Sequence, residues 1–456
     1  MSALPPARAA ALDCLSACLL EGRDIQAALD QALGSDPLSD RDAGLVTELV
    51  YGYCRLKGRT DALLARFLDP KRKLPEEAAL ALGLAAYEII HLDRVPAYAS
   101  VNWAVDWTKG YTRAHLSGLF NAVLRRVADM ADAARTFAPY REGAKDEAQV
   151  LSRFYSCPEW IVRLWLKEYS REDVARFLKA QARPPAVGLA VDPQALAGGQ
   201  DAAEALAARL AGHALCLGRC GLGLAFQSGA SLQALAADLA LTPEELSALY
   251  RQGFAAREAL AALNPARWKT PVWDACAGRG GKTRLLLEAG LSPVLASDTH
   301  QGRLKALARE LAPFIADGRL LVFRARADEP APFLQIDKPE GLRPASILLD
   351  APCTGLGTLS RRPDIKWKRT PDDAANLVRT QAALLRQAFA SCAPGGAVHY
   401  VTCTMNPDEN QRQVARFLEA EPSARLAGTW ATGEDVPTGE FFFSATLTRA
   451  EETTKA

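Results

Sequence analysis

The chain contains no run of about 18 apolar residues, and its start, Met1-Ser2-Ala3-Leu4-Pro5-Pro6, has no basic stretch leading into an apolar one. The first absence argues against a membrane-spanning helix and the second against a secretory leader. Charge of one sign is scarce too: 54 Lys and Arg face 53 Asp and Glu, leaving a formal charge of +1. The molecule as a whole is therefore no magnet for polyanions, and contact with phosphate has to come from a local patch. The 10 cysteines lack the paired spacing of a small secreted scaffold, which predicts reduced thiols and a cytoplasmic protein. Internal repeats and low-complexity tracts are also missing. What is present is ordinary globular composition, 49% apolar and 23% charged, in 456 residues, enough for two or three domains at about 150 residues each.

Residues 6 to about 130 read as nearly continuous helix. Leu45, Leu49, Val50 and Tyr53 share one face, Ala78 to Ile90 is almost wholly apolar, and Leu119 to Val127 follows. Turn formers break the pattern at Gly34–Asp40, Asp69-Pro70, Arg94-Val95-Pro96 and Lys109-Gly110. Composition loosens over Phe137–Lys145, which predicts a linker. Glu159–Tyr169 restarts as an amphipathic helix, and Arg183–Ala266 mixes a strand at Val187–Val191 with alanine-rich helices. From Pro271 the pattern becomes strand, glycine turn, helix, with strands at Val272-Trp273, Val294–Ser297, Ser346–Leu349 and Ala397–Val401. The expected architecture is multidomain: an all-α bundle over 1–135, a small α+β module over 150–265, and an α/β Rossmann-like domain over 266–450.

Three motifs fall at ends of these strands, where open α/β sheets bind ligands. The first is Asp274-Ala275-Cys276-Ala277-Gly278-Arg279-Gly280-Gly281-Lys282-Thr283. Its glycines let backbone amides approach a ligand, and the following helix aims its positive end at an anion. A phosphate loop would need glycine where Cys276 stands, and dinucleotide spacing is absent. A pocket for the amino acid end of S-adenosylmethionine is the reading left, with Asp298 at the next strand end suited to ribose hydroxyls. The other two motifs carry thiols: Cys353 in Asp350-Ala351-Pro352-Cys353-Thr354-Gly355, and Cys403 in Thr402-Cys403-Thr404. Cysteine is a nucleophile whose thiolate is accessible near neutral pH, and the trio points to covalent catalysis beside a nucleotide-like cofactor. Either thiol could attack, and Asp350 is placed to act as acid. Cys14, Cys18, Cys54, Cys157 and Cys392 read as small core residues. His213, Cys216 and Cys220 lack a fourth ligand and standard spacing, so no metal is expected. After Cys353 come Arg361, Arg362, Lys366, Lys368 and Arg369, with Trp367 among them, a local patch that predicts RNA phosphate contact.

These motifs resemble the Nop/Sun, or Fmu-like, RNA cytosine-C5 methyltransferases, most closely the bacterial 16S rRNA branch with a fused NusB-like domain. Glu48–Gly52, Ser100–Val105 and Gly118–Arg125 are similar to NusB-like signatures, Tyr155–Trp160 to the entry of a small RNA-recognition-like domain, and Arg362–Trp367 is highly specific. The resemblance implies that Cys403 is the nucleophile and that Cys353 assists release of the methylated base. It assigns Cys276, Ala277, Gly278, Arg279, Gly280, Gly281, Lys282, Asp298, Arg303, Asp328 and Asp350 to S-adenosylmethionine or its surroundings. A thiolate adding to C6 of cytosine turns the ring into an enamine that accepts methyl at C5. The implied partner is RNA, ribosomal RNA above all, for a monomer away from membranes. Transfer RNA, or an RNA-binding scaffold with impaired catalysis, are the alternatives. Two departures stand out: Gly278-Arg279 replaces the family's usual Ala-Pro, and Arg257-Glu258 replaces Gln-Asp.

Overall fold

A computed structural model describes residues 4–35, 38–71, 73–110, 114–330, 343–433 and 438–451. Its chain divides into two compact units, residues 1–184 with 359–369, and 185–358 with 370–456.

The first unit is helical. Its long helices are Pro6–Leu19, Ile25–Ser35, Asp40–Leu64, Glu76–His91, Ala97–Gly110 and Ser117–Asp129. The breaks at Asp69-Pro70 and Arg94-Val95-Pro96 fall between helices as expected, positions 36 and 37 of the first break lie outside the described residues, and Lys109-Gly110 are the last residues of Ala97–Gly110. Glu76–His91 is central: of the thirteen residues Ala78–Ile90 all but Ala79 are buried, including Glu88. A carboxylate with no exposure needs donors, and Arg8, Ser100 and Trp103 supply them. The stretch expected as a linker is instead packed. Residues Ala138–Arg141 form a helical turn, and Tyr140 is buried against Phe154 because its ring can leave water while its hydroxyl donates to Ala134 O at 2.8 Å. Helices Glu147–Tyr155, Glu159–Leu166 and Arg171–Gln181 follow in the same unit. That compact unit runs to residue 184.

The second unit holds two sheets. Strands β1 (Val187–Val191), β2 (Cys216–Cys220), β3 (Gly223–Phe226) and β4 (Leu249–Arg251) form a small antiparallel sheet in the order β2-β3-β1-β4. The larger sheet comprises β5 (Val272–Asp274), β6 (Val294–Asp298), β7 (Leu320–Arg324), β8 (Ser346–Asp350), β9 (Ala397–Thr402), β10 (Ala424–Ala431) and β11 (Phe443–Arg449). Its order is β10-β11-β9-β8-β5-β6-β7, parallel except that β11 runs antiparallel to both neighbours. Central strands covered on both faces read as unbroken apolar runs, as Ile347-Leu348-Leu349 does. The strand order reverses beside β5, and the carboxyl ends of β5, β8 and β9 there carry the three motifs. The small sheet lies in the same compact unit as this larger sheet. Arg284, on the helix Gly281–Glu288, pairs with Asp192 at 2.7 Å and lies 3.5 Å over the Tyr250 ring, and Arg257 pairs with Glu288 at 2.8 Å. These partly buried ion pairs tie the two sheets together.

Candidate active site

After β5 the backbone must turn within a few residues to start the helix Gly281–Glu288. Gly280 makes this turn at φ +91, where a Cβ would stand 2.8 Å from Leu307 Cγ, so only glycine fits. Asp298, ending β6, fixes the loop: one carboxylate oxygen accepts from Gly278 N at 3.0 Å and the other from His300 N at 2.7 Å. Arg303 lies 3.8 Å from Asp298 and is mostly exposed. A cavity of about 220 Å³ opens inside the turn, lined in part by Asp274, Cys276, Gly278, Lys282 and Asp350, with Gln252 from the end of the small sheet. Ala277, Arg279 and Gly281 also line it, while Gly280 caps the helix behind.

Asp274 was missed in the sequence reading, although it directly precedes the glycine turn. It is fully buried; Oδ2 accepts from Thr283 Oγ1 at 2.7 Å, whereas Oδ1 has no hydrogen-bond partner. Burial pushes its carboxyl up to about 7. An orphaned carboxylate oxygen, loop amides and a second carboxylate at Asp350 suit a ligand carrying both an anionic and a cationic group, so the residues fit the amino acid end of S-adenosylmethionine. The two departures differ: Arg279 is exposed at the cavity rim, whereas Arg257 faces Glu288 while donating to Gln252 Oε1 at 2.6 Å. Asp328 is bound by Arg326 and is absent from the cavity lining.

The loops after β8 and β9 bring the two thiols together across 50 residues of sequence, Sγ to Sγ 3.3 Å. Cys403 N also points at Cys353 Sγ, 3.4 Å away. Lys282 Nζ donates to Asp350 Oδ2 at 2.7 Å, and its positive charge acts on Cys403. A hydrogen bond from Cys353, then the Lys282 ammonium, hold the Cys403 thiol below its ordinary value despite burial and the nearby Asp350. The Cys353 thiol is pushed up by the same bond and by burial. Within the pair these contacts favour charge on Cys403 over Cys353.

Behind the sulfurs lies a polar group that sequence reading did not single out. Glu409, fully buried, accepts from Thr354 N at 2.8 Å and Thr354 Oγ1 at 2.6 Å, and from Gln381 Nε2 at 3.1 Å. Asn410 Nδ2 donates to Thr404 O at 2.9 Å. The signal available in sequence was an acid and an amide close after a thiol motif, which is common on any solvated loop.

The basic segment gives a correction. Residues 359–369 belong to the helical unit, and Lys366 is only 4% exposed. Its ammonium donates to Arg55 O at 2.8 Å, and Trp367 Nε1 donates to Cys54 O at 2.7 Å. Burial lowers Lys366 to about 8. Lys368 donates to Asp364 at 2.7 Å and to Arg23 O. The buried Lys366 ammonium is thus withdrawn from the expected phosphate patch, while Lys368, though bound to Asp364, is only partly buried. Arg362 pairs with Asp24 at 2.7 Å but stays exposed, and Arg361 and Arg369 are partly buried. The five cysteines read as core residues are all buried.

Comparison with known proteins agrees with this arrangement. The family described as 16S rRNA methyltransferase RsmB/F matches residues 260–448, and the NusB family matches 5–129. A Synechocystis sp. protein named "Probable ribosomal RNA small subunit methyltransferase B" is 31% identical over 86% of this chain and 84% of its own length. The Vibrio cholerae "Ribosomal RNA small subunit methyltransferase B" is 30% identical over 92% and 91%. The crystal structure of PH0851 shares the fold, with a TM-score of 0.71 at 19% identity over 98% of this chain and 99% of that one. Glycine turn, paired thiols and helical domain thus stand together in a chain that belongs to the RsmB/F family of 16S rRNA methyltransferases, with a NusB-family domain preceding the methyltransferase domain.

Proposed function

We propose that this protein methylates C5 of a cytosine in small-subunit ribosomal RNA, using S-adenosylmethionine and a transient bond between Cys403 and C6. The observation that carries the reading is the 3.3 Å thiol pair at the switch point of the sheet, beside Lys282 and Asp350. S-adenosylmethionine supplies an electrophilic methyl group on a sulfonium. Asp274, Lys282, Asp350 and the amides of the Cys276–Gly281 turn are the residues to hold it, with Asp298 and Arg303 fixing or flanking that turn. Asp328 keeps the weakest claim, since Arg326 already occupies its carboxylate.

The Cys403 thiolate adds to C6 while Asp350, adjoining the thiols and carrying a proton, donates it to N3, which takes up the electron density as the enamine forms. Once C5 bears the methyl group, a base removes the C5 proton, the C5–H electron pair re-forms the C5–C6 double bond, and the C6–S pair returns to Cys403. A thiolate leaves more readily when a donor meets it, and the Cys353 S–H is that donor at 3.3 Å. The target cytosine has to be unstacked to reach these sulfurs. Arg361, Arg362 and Arg369 are the cations of the basic segment proposed for RNA contact, in a cytoplasmic enzyme.

The test is a covalent trap. Incubated with 16S rRNA and S-adenosylmethionine, Cys353→Ala should accumulate a protein–RNA adduct stable to denaturing gels, and Cys403→Ala should form none. The opposite pattern would exchange the roles of the thiols, and no adduct in either variant would remove the covalent reading.

A further inference from the structure

Two thiols on separate loops do not stay 3.3 Å apart by chance, because each loop is free to relax unless something ties them together. Neither sulfur is held by its own strand: both cysteines lie beyond the last paired residues of β8 and β9. The residue that follows each cysteine is a threonine, and the two hydroxyls, Thr354 Oγ1 and Thr404 Oγ1, meet at 2.8 Å. One carboxylate fastens this junction. Glu409 Oε2 accepts from Thr354 Oγ1, while Oε1 accepts from Thr354 N and from Gln381 Nε2. Gln381, on the helix Pro371–Ser391, also donates to Pro352 O at 3.0 Å, so the residues on both sides of Cys353 are anchored to the same point. The backbone of Glu409 is itself held, its carbonyl accepting from Tyr400 OH at 2.7 Å. Glu409 touches neither sulfur.

We infer that Glu409 is the positioning residue that sets the gap between the thiols, and through that gap the release of the methylated base. The inference rests on the covalent reading above. Its physical content is that a buried carboxylate receiving hydrogen bonds from two elements is rigid and holds the Cys353 end, whereas without it the loops keep the threonine pair and the backbone bond from Gly357 N to Cys403 O at 3.0 Å, which fixes the Cys403 end only. With Glu409 removed, Cys353 drifts out of donor range of Cys403. Attack on C6 needs only Cys403 and survives; expulsion of the Cys403 thiolate needs its neighbour and slows. The glutamine variant keeps the shape: one atom still accepts from Thr354 N and Gln381, and the amide NH₂ donates to a Thr354 hydroxyl that turns toward Thr404.

Glu409→Ala, Glu409→Gln and Thr354→Val are made in the full chain and given 16S rRNA with S-adenosylmethionine. Expected is adduct build-up in Glu409→Ala, with release slowed at least about tenfold, a smaller build-up in Thr354→Val, and release within about threefold of wild type in Glu409→Gln. A readout without RNA accompanies it: a trivalent arsenical that bridges close thiols should bind wild type and Glu409→Gln alike and Glu409→Ala about tenfold more weakly. Wild-type release by folded Glu409→Ala, loss of adduct formation in it, or trapping by Glu409→Gln as strong as by alanine would each overturn the inference. If Glu409→Ala does not fold, Thr354→Val decides, adduct build-up supporting the inference and wild-type release refuting it. Failure of Cys353→Ala to trap RNA, with arsenical affinities as expected, would instead condemn the covalent reading and leave the spacing role standing.

Discussion

Replacing Cys353 by alanine removes the thiol that lies 3.3 Å from the Cys403 sulfur, and the consequence of losing it as a donor can be sized before any RNA is added. Hydrogen bonds to a charged partner contribute about 1.5–3 kcal/mol, and a thiol, being a weak donor, belongs at the lower end. At about 1.4 kcal/mol per pKa unit, losing it raises the Cys403 thiol by about one unit and cuts its thiolate at neutral pH up to about tenfold. Cys353 is held as the protonated partner, so its removal deletes no charge that could offset this change. The assay is the pH dependence of alkylation at Cys403, followed by peptide mass across pH 5.5 to 10. Cys353→Ser, which keeps a hydroxyl donor, should titrate near wild type. A Cys403 pKa that stays put or falls in Cys353→Ala would refute the reasoning, as would wild-type protein in which Cys353 is the first thiol to ionise.

Asp274 offers a stability test. Burial raises its carboxyl to about 7, above an unfolded value near 3.9, so the folded state holds an extra proton between those limits. The stabilisation is fully present below about pH 4 and is lost as pH rises through about 7. Asp274→Asn should therefore gain unfolding free energy over wild type as pH climbs from 4 to 8, by up to a few kcal/mol, read by denaturant unfolding at each pH; a flat difference would show that Asp274 does not titrate there. For RNA binding, Arg362→Ala should reduce the salt dependence by about 0.7–0.9 of one phosphate contact, and Lys366→Met should leave the slope unchanged, measured by filter binding from 50 to 300 mM salt. A slope change in Lys366→Met would restore it as a phosphate ligand. Gly280→Ala should cost about 1–3 kcal/mol, read by denaturant unfolding, because its Cβ meets Leu307 in a backbone conformation that disfavours side chains. Wild-type stability would mean that the turn is softer than the packing suggests.

The parts of the fold that sequence reading captured are those written in consecutive residues. Turn formers bounded the N-terminal helices, and Ile347-Leu348-Leu349 announced a buried strand because a sheet covered on both faces needs no alternation. The antiparallel strands β10 and β11 escaped notice: β10, Arg425 to Thr429, is exposed throughout, so no apolar period marks it. The linker reading of Phe137–Lys145 failed for the opposite reason. Pro139 and Gly143 look like loop residues, yet Tyr140 finds a core to enter through Phe154.

At the site, residue types and their strand-end placement carried the chemistry, and both thiols, the glycine turn and Lys282 were legible from them. Which partner each group takes was not. Lys366 is separated from Arg55 by 311 residues, and only folding turns its ammonium from a phosphate ligand into a cap on a backbone carbonyl. Asp298, suited by position to a ribose, is drawn onto Gly278 N, and Glu409, an unremarkable acid in sequence, becomes the tie between two loops. By itself the amino-acid order determined the elements and the inventory of reactive groups, because propensity, periodicity and turn chemistry act over a few neighbours. The tertiary structure alone decided what surrounds each sulfur, since that depends on a thiol, an ammonium and carboxylates brought from distant segments to within a few ångströms, where electrostatic interactions become strong.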